Sequence, residues 1–141
     1  MVRLPPLPGP LVRFLLKTAM RDMMPAAAGL PGIADTDLDG FLDRLFREAT
    51  GLLLLGLALG AVLWVSLPIL TVYVPLPSFW LPRKLRQRHT ERLTSTRIYA
   101  VRQSVFLLKM YACMCWGQDP AVRARFALAP YPVDPGTFRT T

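Results

Sequence analysis

Apolar residues recur at helical spacing over several stretches of this chain and run unbroken over another. The clearest amphipathic stretch is 35–49. Leu38, Phe41, Leu42, Leu45, Phe46 and Ala49 make one continuous apolar face, with Asp39, Asp43, Arg44, Arg47 and Glu48 on the other side. Asp35, Thr36 or Asp37 can cap this helix, and acidic residues suit the positive end of its dipole. The helix needs a surface, protein or membrane boundary, against which to bury its face.

Before it, residues 1–34 read as a Pro/Gly-punctuated basic leader. Pro5, Pro6, Pro8 and Pro10 cannot sit in a helix interior. Leu11–Met24 then makes a short apolar run carrying Arg13, Lys17 and Arg21, a basic amphipathic segment. Arg13 and Lys17 interrupt the apolar stretch that a secretory signal requires, so Ala26-Ala27-Ala28 is not read as a cleavage site. An interfacial or flexible arm is expected, closed by Pro25, Pro31 and Gly32.

From Ala49 to Pro82 there is no charged residue over 34 positions. The densest part is the apolar segment 51–74, Gly51 to Val74. As one helix it would be about 36 Å long, enough to cross a hydrocarbon layer of ~30 Å. The expectation is therefore a transmembrane helix. Gly56 and Gly60 form a small-xxx-small pair that lets another membrane helix approach closely. Pro68 can kink or end the helix, which leaves an in-plane or re-entrant segment as the rival to a full span. Tyr73, Phe79 and Trp80 follow, as in an interfacial aromatic belt.

A basic collar comes next, over 83–102. It holds seven basic residues (Arg83, Lys84, Arg86, Arg88, Arg92, Arg97, Arg102) against one acid, Glu91. Residues 35–48, on the other flank, hold five acids and two bases. That bias places the C-terminal side in the cytoplasm if the helix spans the cell (inner) membrane. Beside a membrane segment, Arg83, Lys84, Arg86 and Arg88 are expected to contact anionic lipid headgroups in preference to nucleic acid.

Residues 97–116 predict a second apolar helix. Ile98, Val101, Val105, Leu108, Ala112 and Cys115 follow steps of three and four, a seam suited to docking along a partner helix. The helix is too short to span alone. Lys109 is the charge in its apolar part, read as a lysine snorkelling to water or headgroups, with pairing to an acidic group on a partner as the alternative. Asp119-Pro120 opens a short helix over 120–128, because Asp caps well and Pro suits the first helical position. Pro130, Pro132 and Pro135 then end regular structure, leaving 132–141 as a tail.

Composition sharpens this reading. The 141 residues carry a formal charge of +8, yet only 18% are charged and 52% are apolar. Such a chain is neither a disordered polycation nor an ordinary charged soluble enzyme. Two cysteines are too few for a disulfide framework. Cys113 and Cys115 point to different faces of one helix, so packing explains them better than a Cu(I) site with Met110 and Met114. His89 is the only histidine and is expected at the surface of the basic run. Asp35, Asp37, Asp39 and Asp43 lack the rest of a calcium-loop pattern, and helix capping accounts for them. No Gly-rich phosphate loop or haem signature is present. The residues thus offer no catalytic, cofactor or metal set. The architecture they predict is all-α and membrane-associated: one long apolar helix with three or four shorter amphipathic helices, in a single domain over 35–131.

The order of motifs resembles a known family. Phe41-Leu42-Asp43-Arg44-Leu45-Phe46-Arg47-Glu48 precedes the apolar segment, and the basic helix Leu85–Leu93 follows it. Then come Tyr99-Ala100-Val101-Arg102, Leu107-Leu108-Lys109, Ala112-Cys113-Met114 and Asp119-Pro120-Ala121-Val122-Arg123. This order resembles the small membrane-associated region that accompanies glucose-methanol-choline (GMC) flavin oxidoreductases of the long-chain fatty alcohol oxidase type. The similarity covers roughly 36–131 and is sharpest at 97–123. Gly117-Gln118 and Leu128-Ala129-Pro130-Tyr131 depart from the family's usual aromatic residue before Asp-Pro and Gly-Tyr after it. The resemblance implies a non-catalytic accessory subunit that docks a flavin-dependent alcohol oxidoreductase at the membrane, with FAD in the larger partner. A structural or assembly subunit of another membrane complex, respiratory or pigment-binding, is the alternative. A lipid or nucleic-acid binder acting through Arg83–Arg102 is the third reading.

Overall fold

A computed structural model describes residues 9–133. The described chain is all-α, as its periodicity predicts. It consists of α1 (Gly9–Met23), α2 (Leu38–Glu48), α3 (Gly51–Ser66), α4 (Pro68–Thr71), α5 (Arg83–Thr94), α6 (Tyr99–Gln118) and α7 (Pro120–Arg125), with 3₁₀ turns at Ile33–Asp35 and Ser78–Trp80. The expectations for residues 1–8 and 134–141 lie outside the described residues.

The expected transmembrane helix is not formed. Among the described residues no helix is long and apolar enough to cross a membrane. Pro68 is the physical reason. It has no N–H to give the carbonyl of Trp64 four residues earlier, and its ring crowds that carbonyl. α3 therefore stops at Ser66, and Pro68 opens α4 at the first helical position, where a missing N–H costs nothing. The 16 residues of α3 make a rod of about 24 Å, short of a hydrocarbon layer of roughly 30 Å. A charge bias assigns a side only to a helix that spans.

The second departure concerns the leader. Val12, Leu16, Ala19 and Met20 recur on one side of α1 and are buried in the core. This segment is part of the body of the molecule, packed on α3 and α6. Its basic residues hold it to α2. Arg13 donates to the carboxylates of Asp39 and Asp43, and Lys17 to Asp39 at 2.8 Å.

The rest of the core comes from Leu38, Phe41, Leu42 and Leu45 of α2, Leu57, Ala58, Ala61 and Trp64 of α3, and Val105, Leu108, Ala112 and Cys115 of α6. Each large side chain buried this way contributes roughly 1.5–3 kcal/mol. α6 touches α1, α3, α5 and α7 and so forms the axis of the bundle. Caps fall where the sequence offers them. Asp37 accepts from the Gly40 amide to start α2, and Asp119 accepts from Ala121 and Val122 to start α7. The 24–32 loop is pinned by the Ile33 amide on the Met24 carbonyl and by the Trp116 indole on the Pro31 carbonyl, at 2.9 and 2.8 Å.

Candidate interaction surface

The seam singled out on α6 is mostly inside the molecule. Val105, Leu108, Ala112 and Cys115 are buried among this chain's own helices, Val101 is half-buried, and Ile98 and Lys109 are exposed. A helical seam seeking a partner is thus met intramolecularly. Gly56 and Gly60 do permit a close helix approach, and the helix they admit is α6. A Cβ on Gly60 would stand 2.6 Å from the Ser104 carbonyl oxygen, and one on Gly56 would stand 3.1 Å from Leu107 Cδ2. Position 56 meets 107 while position 60 meets 104, so α3 and α6 run antiparallel.

Opposite its buried side, α3 faces outward with Leu52, Leu55, Leu59 and Val62, all at least 44% exposed. The face continues onto Ile69 and Leu70 of α4, and α6 presents Phe106, Met110 and Met114. α3 buries one stripe in the core and has no polar stripe to turn outward, as expected of a segment apolar on all sides. Soluble monomers rarely leave so broad an apolar surface uncovered, and such surfaces mark sites of contact with protein or lipid.

Aromatic and basic residues gather at the end of this face where α3 gives way to α4 and α6 begins. Tyr73 follows α4 in the left-handed region, with φ +59° and 80% of its surface exposed. Arg92 lies over its ring at 6.0 Å and donates to the Thr71 carbonyl. Arg102 lies over the Tyr99 ring at 5.9 Å. Of the four expected headgroup residues, Arg83, Lys84 and Arg88 are exposed on α5, but Arg86 is turned inward.

Arg86 belongs to a buried polar cluster behind the face, which the sequence did not suggest. Its Nη1 donates to Asp22 at 2.8 Å and its Nη2 to the Leu81 carbonyl at 2.9 Å. The Asp22 side chain is only 6% exposed. Burial pushes its carboxyl up, while Arg86 and the Trp64 indole pull it down. His89, expected at the surface, is fully buried edge-on to Trp64, with ring centroids 5.1 Å apart. Its Nε2 sits 2.8 Å from the Trp64 carbonyl, the acceptor that Pro68 leaves without a helical donor. A carbonyl only accepts, so Nε2 carries the proton and Nδ1 receives the Thr71 hydroxyl. Burial holds the imidazole below its usual range, in the neutral form that this pairing needs. The signal for an inward His89 is its register with Leu85 and Leu93, four residues to either side. Nothing comparable marked Asp22.

The two cysteines separate as expected. Cys113 is exposed, and Cys115 is buried 3.8 Å from the Thr36 hydroxyl, where burial pushes its thiol up. The acidic run at 35–43 is spent on caps and ion pairs, with Asp35 accepting from the Gly32 amide. No cluster of three or more His, Cys, Asp or Glu side chains able to hold a metal ion occurs among the described residues. A cleft of about 660 Å³ lies between α2 and the start of α7, lined by Asp37, Arg44, Glu48, Gln118, Asp119 and Tyr131 among others. Its mixed charges can accept polar groups of a protein surface.

No protein-family model, curated protein or solved structure matches the chain.

Proposed function

We propose that this chain is a non-catalytic accessory subunit that seats a larger oxidoreductase subunit at a membrane surface without crossing the membrane. The observation that carries this reading is the outward apolar face of α3, α4 and α6, which needs a surface to lie against. The buried Asp22–Arg86 and Trp64–His89–Thr71 contacts hold the helices under that face. The α2–α7 cleft, with charges of both signs, offers a second side for a protein partner. The motif resemblance supplies the class of that partner, a GMC-type flavoprotein acting on lipophilic alcohols, and FAD would reside there.

The test is co-purification. The tagged chain, expressed in its native host and solubilised in mild detergent, is expected to bring down a yellow, flavin-absorbing protein at fixed stoichiometry. Recovery of the chain alone, or with a haem or chlorophyll spectrum in place of flavin, overturns the assignment.

A further inference from the structure

The apolar face has a charge pattern that discriminates between possible occupants. Ala49 to Pro82 contributes no charge at all, and between Arg92 and Gln118 every charged residue is basic. The outward positions of α3 and α4 offer one side-chain hydrogen-bonding group, Ser66, where a protein interface carries roughly one hydrogen bond per 100–200 Å². A second copy of the chain seated on this face would bring the Arg102 and Lys109 of both copies into one interface, with no carboxylate in the face to offset them. An anionic bilayer surface fits both features: hydrocarbon for the leucines, and phosphate at the rim for the guanidinium groups.

Resting on the accessory-subunit reading, we infer that the end of the face built by Tyr73–Arg92 and Tyr99–Arg102 is a binding site for anionic lipid headgroups. Each tyrosine presents an apolar ring with a polar tip at the boundary, as aromatic residues do at the bilayer interface. Each arginine lies over its ring at cation–π distance, and Arg92 commits one donor to the Thr71 carbonyl, which fixes its guanidinium and leaves other donors for a phosphate. Tyr73 is held out by a left-handed backbone that a non-glycine residue adopts at a cost of about 1 kcal/mol or more, so its exposure is imposed by the fold. Of the residues expected to meet headgroups, Arg86 is spent on Asp22, while Arg83, Lys84 and Arg88 stay exposed on α5 beside this site.

Vesicle flotation of the full chain tests the site. The probes are phosphatidylcholine vesicles and vesicles containing a fraction of phosphatidylglycerol. Binding is expected to favour the anionic vesicles and to fall steeply with salt. Arg92→Glu with Arg102→Glu should weaken it by at least about tenfold, whereas Arg44→Glu with Arg47→Glu, the same charge change on α2, should leave it within about twofold. Far-UV circular dichroism checks that each variant is folded, and Arg102→Glu alone serves if the double variant is not. Equal binding to both vesicle types, or an equal loss in the α2 variant, overturns the headgroup site. So does absence of vesicle binding with a dimer that Phe106→Ser dissociates, which gives the face to a second copy. If vesicles bind but no flavoprotein co-purifies, the lipid site stands and the accessory reading falls; the converse result separates them the other way.

Discussion

α2 and α3 are joined by two residues, and each buries one side in the same core, yet their outer sides have nothing in common. α2 turns Asp39, Asp43, Arg44, Arg47 and Glu48 outward and meets Arg13 and Lys17 of α1 in a lattice of exposed ion pairs. α3 turns leucines and a valine outward. The inner sides explain why the chain folds. The difference between the outer sides tells what each can receive: polar groups against the charged side of α2, as in the α2–α7 cleft, and an apolar surface against α3.

The comparison can be broken most sharply from within. Leu42→Ala on α2 and Leu57→Ala on α3 should each lose about 2–5 kcal/mol in urea unfolding, because both side chains are fully buried. A markedly smaller loss for Leu57 would mean that the inner side of α3 is not a true core side. Arg86→Met should cost about 2–4 kcal/mol by leaving the Asp22 carboxylate buried without its cation, with Asp22→Asn restoring much of the loss in the double variant. Gly60→Ala should cost about 1–3 kcal/mol, since the new methyl must push α3 off the Ser104 carbonyl.

Acid separates the two regions by pH. Hydrogen bonds from Lys17 and Arg13 lower the Asp39 carboxyl to about 2. What this pairing contributes is present above the ordinary carboxylate value of 3.8 and is lost as pH falls through about 2. His89 acts behind α3 and at higher pH. Its pKa lies below the usual 6.5, so its contribution is complete above 6.5 and is lost as pH falls through the lowered value. Imidazole shifts followed by NMR should therefore titrate below 6.5, and a titration above it would contradict a buried neutral ring. Asp39→Asn should flatten the acid end of the stability profile and leave the His89 region unchanged.

The smallest expected effects are on the outer sides. Leu59→Ala and Arg47→Ala should each change stability by less than about 0.5 kcal/mol. They should part company elsewhere: Leu55→Glu with Leu59→Glu is expected to reduce retention on a hydrophobic column and binding of an apolar dye, while Arg47→Ala leaves both as they were. Equal behaviour of the two would erase the contrast between the helices.

Much of this architecture is legible in the sequence. Spacing alone gives α2 and α6 to within a few residues, and Asp37 and Asp119 announce the starts of α2 and α7. α1 was harder to place, because a short basic amphipathic stretch looks the same whether it meets lipid or a helix of opposite charge, and the acids that claim Arg13 and Lys17 lie more than twenty residues away. The apolar segment hides its break for a related reason. Hydropathy reports that residues 51–74 avoid water, and it does not report whether they stay in one line. The surface pairs Tyr73–Arg92 and Tyr99–Arg102 depend on tertiary placement, and Asp22 carried no local mark of burial.

Pro68 has a consequence for how the protein is made. A run of 24 uncharged, mostly apolar residues is what the insertion machinery recognises in an emerging chain, and a single proline three-quarters of the way along keeps this run from presenting itself as one rod. Pro68→Leu would return a backbone donor to the Trp64 carbonyl, displace His89 from it and lengthen α3 toward spanning length. One residue thus decides whether the segment 51–74 breaks into two rods or runs on as one.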